Sequence, residues 1–227
     1  MKLLAVETST DACSAALFIN GDIAEKFAVA PREHTKLILP MIAELMAEAD
    51  LRPQQLDALA LSRGPGSFTG VRIATGVVHG IAYGADLPVA MVSTLAAIAQ
   101  DYFNRQDAGV TFAAMDARMD EVFWGVYQRN AVGLAKLVGA EAVTPAAEAI
   151  IPDLTGVGVG SGWEVYRNVL SDRVGQRLQG VDSDIWPRAA CIAQLGAYDY
   201  ANDQAVPVEQ AMPVYLRDKV AKKTSER

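Results

Sequence analysis

The 227-residue sequence is poor in cysteine, histidine and positive charge, and each shortage removes a class of function. Its two cysteines, Cys13 and Cys191, lie far apart and neither belongs to a CxxC pair. That argues against a disulfide framework and against a zinc site. The two histidines, His34 and His79, belong to no HExxH or other paired ligand motif, so a histidine-dependent metal site is not expected. Each reads as a structural residue at a helix surface or helix start. No GxSxG elbow is present to carry a Ser-His-Asp triad, so a serine protease has no chemical support.

The net charge is −7 and the pI about 4.9. A free-standing RNA binder carries a basic footprint, because phosphate contacts supply most of its affinity. Here basic residues gather only in a tail, residues 211–227, with Arg217, Lys219, Lys222, Lys223 and Arg227. The plain reading of that tail is a solvated end. If the protein works on RNA, another subunit is expected to supply most of the phosphate contacts. No apolar run approaches the roughly 20 residues of a membrane span. The N-terminal apolar run stops at Glu7, too early for a signal peptide. The expected location is the cytoplasm, with no membrane contact.

What is present is a core: 51% of residues are hydrophobic, enough for one large domain or two lobes. Residues 3–8 read as a buried strand ending in the polar turn Thr8-Ser9-Thr10-Asp11. Strands follow at 13–19 and 23–29, joined by Asn20-Gly21, a pair suited to a type I′ hairpin turn. From residue 31 to 50 the period changes. Leu37, Ile38, Met41, Ile42, Leu45, Met46 and Ala49 recur at three- and four-residue spacing, predicting a helix. Their projection covers roughly half the circumference, more than one buried stripe needs. The excess predicts a second contact beyond the helix's own sheet. A strand at 56–62, a tight loop, a second helix to about residue 84, a strand at 89–92 and a helix at 94–103 complete a first unit. A second unit opens near residue 110 with strands at 110–115 and 122–128, a polar turn at 116–120 between them, and a strand at 135–139. A glycine-rich stretch at 156–162 and a helix at 189–200 follow. The repeated opening predicts a duplicated α/β architecture, with lobes at 1–105 and 106–210.

Gly64-Pro65-Gly66-Ser67-Phe68-Thr69-Gly70 enters a helix N-terminus, which suits an anion. It lacks the lysine of a P-loop. The competing reading is a tight turn with Ser67 or Thr69 as helix cap. On the helix that follows, Gly76, Gly80 and Gly84 fall on one stripe bordered by Arg72, His79 and Tyr83. Each costs about 1 kcal/mol relative to alanine in a helix interior. The stripe therefore predicts close approach of another backbone, either from this chain's own helices or from a partner's helix. With the first helix it would form half of an intermolecular four-helix bundle. Glu7-Thr8-Ser9-Thr10 and Asp116 sit at two hairpin tips, like the two phosphate turns of actin-like ATPases. Turns are rich in such residues anyway. Gly156-Val157-Gly158-Val159-Gly160-Ser161-Gly162 is out of register for GxGxxG and is no Rossmann fingerprint, which leaves a glycine-rich turn of the actin type open.

Several segments together resemble the TsaB (YeaZ) family of tRNA threonylcarbamoyladenosine biosynthesis. They are Leu3 to Thr10, Pro31-Arg32-Glu33-His34-Thr35, the loop Arg63 to Arg72, Asp116-Ala117-Arg118-Met119-Asp120-Glu121-Val122 and Pro213-Val214-Tyr215-Leu216-Arg217. The resemblance runs in register over nearly the whole chain. It implies an α/β, actin-like fold (ASKHA, a duplicated RNase H-like unit) of two lobes, and no catalysis by this chain alone. The implied partner is the transferase TsaD, in a heterodimer that recruits the ATPase TsaE and meets tRNA only through the complex. The chain alone is expected to form a homodimer.

In TsaD an HxxxH metal motif follows the corresponding loop, helix and strand; here its two positions fall on Thr94 and Ile98, so no metal is expected. The resemblance implies no cofactor, with ATP or ADP only in the complex. Expected interface residues are Leu37, Met41, Leu45, Arg72, Ile73, Gly76, His79, Gly80, Tyr83 and Gly84. Glu7, Thr8, Ser9, Thr10 and Asp116 are the expected vestigial nucleotide site. The alternatives are a small actin-like ATPase or sugar kinase working through Glu7, Thr10 and Asp116, and, less favoured, a metallopeptidase.

Overall fold

The computed structural model describes residues 1–217. Lys219, Lys222, Lys223 and Arg227 of the basic tail lie outside them. The strands β1 (Lys2–Glu7), β2 (Ala12–Ile19) and β3 (Asp22–Val29) form an antiparallel meander. Its second turn is the expected hairpin, with Asn20 at φ 52° and Gly21 at φ 110°. Then α1 (His34–Glu48) leads to β4 (Ala58–Ser62), parallel to β1, and α2 (Phe68–Ala85) leads to β5 (Val89–Val92), parallel to β4. The sheet order is β3-β2-β1-β4-β5.

After α3 (Thr94–Arg105) the plan repeats. β6 (Val110–Asp116), β7 (Glu121–Arg129) and β8 (Ala135–Pro145) form a second meander. β9 (Gly156–Val159) joins parallel to β6. The short helices α4 (Gly162–Val165) and α5 (Arg167–Val174) lead to β10 (Leu178–Asp182), parallel to β9. The order, β8-β7-β6-β9-β10, matches the first sheet strand for strand. The last helix is α6 (Ala189–Ala201).

Side chains alternate across a strand, so each sheet offers two faces. Leu4, Val6, Leu59 and Leu61 point to α1 and α2, where they meet Ile38, Ile42, Leu45 and Val78. Leu3, Ala5, Ala16, Ala60 and Ala90 point the other way, against Ile192, Ala193 and Leu195 of α6. The small residues let α6 come close: a Cβ on Gly196 would lie 2.7 Å from the Cβ of Ala60. In the second sheet Phe112, Trp124 and Val126 meet Trp163 and Leu170 from α4 and α5, while Met115, Tyr127 and Val159 meet Leu95, Ile98 and Phe103 of α3.

The closing helices are therefore exchanged. α3 follows the first sheet but packs on the second, and α6 follows the second but packs on the first. This corrects the expected lobe at 106–210. The chain returns to the first sheet at α6, and Val206 then bridges Val89 beside β5. The strand expected at 135–139 runs on to Pro145, past a bulge where β8 slips register against β7. α4, α5 and β10 were not expected as separate elements.

Candidate functional site

The first polar turn is sealed rather than open. Glu7, Thr8 and Ser9 are fully buried. The Thr8 hydroxyl donates to the carbonyl of Gly70 at 2.7 Å, and the Ser67 amide donates to the carbonyl of Ser9 at 2.7 Å. A Cβ on Gly70 would stand 2.0 Å from the Thr8 oxygen, and one on Gly66 2.4 Å from the Ser9 oxygen. The glycines of the loop are thus required for backbone contact with the turn. Ser67 caps α2 by accepting from the Gly70 amide, so the capping reading of this loop holds and two of its amides are already engaged.

Glu7 accepts from the Ser9 amide with one oxygen, and its other oxygen is buried without a partner. Burial raises the Glu7 pKa. Thr94 donates to the Ser9 hydroxyl at 3.1 Å, and Ile98 is packed in the core of the second sheet. Both histidines are held by backbone: His34 Nε2 lies 2.7 Å from the Thr10 carbonyl oxygen, and His79 Nε2 lies 2.8 Å from that of Ala211.

A cleft of about 710 Å³ separates the two sheets, lined by Ser9, Thr10 and Ser67 on one side and Asp116, Arg118 and Ser161 on the other. Of the expected vestigial nucleotide residues, Ser9, Thr10 and Asp116 reach it; Glu7 and Thr8 lie beneath it. Asp116 is already paired within its own lobe. It accepts from the Arg118 amide at 2.8 Å and from Tyr166 at 3.2 Å, and forms an ion pair with the Arg118 guanidinium at 3.0 Å. The turn itself is unusual: Arg118, Met119 and Asp120 have φ of 61°, 59° and 61°, three consecutive non-glycine residues in the left-handed region. The glycine-rich stretch at 156–162 serves packing. A Cβ on Gly158 would lie 2.4 Å from the buried Trp163 ring.

The face of α2 is the opposite of the first turn. Gly76, Gly80 and Gly84 are exposed, and a Cβ on any of them would meet nothing within 4 Å. The reading in which this stripe packs against the protein's own helices is therefore wrong. Phe68, Arg72 and Tyr83 are exposed on the same helix, and Leu37, Met41, Ile73 and His79 are half-buried beside it. Leu45 does not belong to this face: it is 1% exposed, inside the core under α1. Leu39 and Pro40 of α1 are exposed instead.

Sequence reasoning missed Phe68 and Tyr215, whose rings lie 5.8 Å apart. Tyr215 belongs to a C-terminal strap that crosses α2, held by the His79–Ala211 contact and by the Val214 amide donating to Arg63 at 2.8 Å. Arg217 ends the strap by pairing with Glu121 across the cleft. Only the short Pro-Val-Tyr-Leu-Arg segment, without periodicity, hinted at it.

Two five-stranded sheets of one order, closing helices exchanged between them and a cleft flanked by two polar turns define an α/β protein with an actin-like fold. The TsaD family model, described as tRNA N6-adenosine threonylcarbamoyltransferase, matches residues 28–224. Proteins named tRNA threonylcarbamoyladenosine biosynthesis protein TsaB are similar over nearly the whole chain. The one from Escherichia coli K12 is 40% identical, covering 97% of this chain and 96% of its own. The one from Haemophilus influenzae is 38% identical, covering 97% and 95%. The solved structure of YeaZ from Pseudomonas aeruginosa superposes with a TM-score of 0.88 at 43% identity, over 95% of this chain and 99% of that one. The chain belongs to the TsaB (YeaZ) family. Among the described residues no helix is long and apolar enough to cross a membrane, and no cluster of three His, Cys, Asp or Glu side chains is placed to hold a metal.

Proposed function

We propose that this chain acts in tRNA threonylcarbamoyladenosine biosynthesis as a docking subunit without catalysis of its own. Its relatives' names supply the pathway, and the face of α2 supplies the role. In this reading the face binds a TsaD-type transferase, and the pair recruits TsaE. tRNA, and any ATP or ADP, are met only in the assembled complex. Alone, the chain would pair with itself through the same face.

The observation that carries this reading is the open glycine stripe. Folding of the isolated chain gives no reason for glycine at 76, 80 and 84, where a methyl group would meet nothing. Three glycines in a helix interior cost roughly 3 kcal/mol relative to alanine. A backbone from another molecule lying along the stripe accounts for them. The cleft turns support the same reading: one is sealed by its own loop and the other has its carboxylate paired with Arg118.

Sedimentation of the chain alone, and mixed with the TsaD-type subunit of the same organism, tests the proposal. The expected result is a homodimer that converts to a one-to-one heterodimer, and loss of the heterodimer in Gly80→Leu with the fold intact. A monomer that ignores the transferase would refute it.

The second reading is a small actin-like nucleotide-binding enzyme, favoured by the cleft with Thr10 and Asp116 on its walls. Tight, magnesium-dependent ATP binding by the isolated chain in calorimetry would select it.

A further inference from the structure

Resting on the docking reading above, we propose that Phe68, Arg72 and Tyr215 form an anchor that receives a carboxylate from the partner's helix. The guanidinium of Arg72 lies 3.5 Å over the Phe68 ring and 5.7 Å from the Tyr215 ring. Phe68 is 56% exposed and Tyr215 47%. Among the charged residue types Asp, Glu, Lys and Arg, Arg72 is the sole one in α2. Among the described residues no carboxylate forms an ion pair with it, whereas Arg63 and Arg217 each have one.

The geometry leaves the rim of the guanidinium free while its face is fixed on an aromatic ring. A stacked arginine presents its N–H fork in a held direction, which suits bidentate capture of a carboxylate. The position makes that capture necessary. Arg72 lies one turn, about 6 Å of helix rise, before Gly76. A helix seated along Gly76 and Gly80 and continuing one turn further covers Arg72 and removes its water. An arginine buried without a counter-charge is strongly disfavoured, because it gives up its hydration for nothing. A partner that fills the stripe must therefore bring an acceptor to this end, and an aspartate or glutamate is the acceptor that balances the charge. The glycine stripe accepts any small-residue helix; the anchor chooses among them and fixes direction and register.

Tyr215 makes the anchor composite. It comes from the C-terminal strap and lies beside Phe68, so that the two rings together flank the Arg72 guanidinium. The docking face is therefore complete only when the strap is seated.

The test is calorimetric titration of the full-length chain into the TsaD-type subunit at low and high salt. Variants are Arg72→Gln, Arg72→Lys, Tyr215→Ala and, as reference, Gly80→Leu. Circular dichroism melts check each fold, and the exposure of the mutated positions predicts no loss of melting temperature. The expectation for Arg72→Gln is a roughly 10- to 100-fold weaker complex with a flattened salt dependence. Arg72→Lys should recover little of this, because an ammonium neither stacks nor forks. Tyr215→Ala should weaken binding about tenfold. Normal affinity of Arg72→Gln beside failure of Gly80→Leu would overturn the anchor and keep the docking face. Weak binding with an unaltered salt dependence would also overturn it, since packing alone would then be lost. So would variants that impair self-association alone, which would make a second copy the occupant. Normal binding by Gly80→Leu would instead remove the docking reading itself.

Discussion

The two lobes share one strand order and differ in what they hang on it. The first carries a 15-residue helix and an 18-residue helix between its strands. The second has a three-residue turn, Ala146–Glu148, in place of the first and the short pair α4 and α5 in place of the second. Their polar turns differ in the opposite sense. The first is buried and tied to its neighbouring loop; the second is strained, partly exposed and open to the cleft. A duplicated sheet thus supplies the frame, and the divergent connections supply the surfaces. The open glycine face of α2 lies on the lobe whose turn is sealed. That combination fits a chain that binds a partner with its helices rather than a ligand in its cleft.

The contrast is sharpest within α2, where Gly70 and Gly80 have opposite surroundings. At Gly70 a methyl group would collide with backbone, and Gly70→Ala should destabilise the fold by about 2–3 kcal/mol. Urea unfolding measures it, and an unchanged midpoint would show that the loop can shift away from the first turn.

A second prediction tests how firmly the lobes are joined. Glu141 is buried where the β8 bulge turns it inward; it accepts from Ser93 and Tyr127 and pairs with Arg63 at 3.2 Å. Burial and the nearby carboxylate raise the Tyr127 pKa, so this phenol stays a donor. Glu141→Ala leaves three donors without their acceptor and should cost about 2 kcal/mol, discounted because Arg63 is partly solvated. The loss should appear in both lobes at once, as a lower midpoint by fluorescence and by circular dichroism. Two separated transitions would mean that the lobes fold independently.

The third effect is smaller and has the opposite sign. Gly80→Ala adds a methyl group in open space on an exposed helix and should stabilise the isolated chain by about 0.5–1 kcal/mol. The same substitution should not tighten the complex. A variant that gains in both would remove the argument that glycine is kept there for a partner.

Much of this frame is legible in the sequence. The short apolar run of β1, the Asn20-Gly21 hairpin and the helical period of α1 are local signals, and each element forms where they point. The repeated hairpin announces the second sheet. What escapes is decided by distant contacts. Nothing local in 189–201 says that it packs on the first sheet, because its apolar residues would suit either. The apolar arc of α1 is wider than one buried stripe needs, but it does not say where the core ends, so Leu45 reads like Leu37 until the sheet is in place. The stripe of α2 is visible as a pattern, but its outward direction depends on which side β4 occupies. Phe68 and Tyr215 are far apart in sequence, so their pairing has no local signal.

The smallest predicted effect concerns the sealed turn and is a matter of pH. Glu7 is wholly buried and its pKa is raised by that burial, with one oxygen left unpartnered. An acid whose folded pKa lies above its unfolded value, about 4.3, costs nothing while both states are protonated. As pH rises from there through the folded pKa, the unfolded state releases its proton first and stability falls. Glu7→Gln keeps an oxygen for the Ser9 amide and has no proton to lose. Its gain over the parent chain should therefore be absent near pH 4 and should appear as pH rises towards neutrality, reaching a plateau above the folded pKa. Subtracting the two stability curves cancels Asp101 and Asp199, whose pKa values burial also raises. A constant offset between the curves would mean that Glu7 is as readily ionised in the fold as in the open chain, and that water or a cation reaches the turn after all.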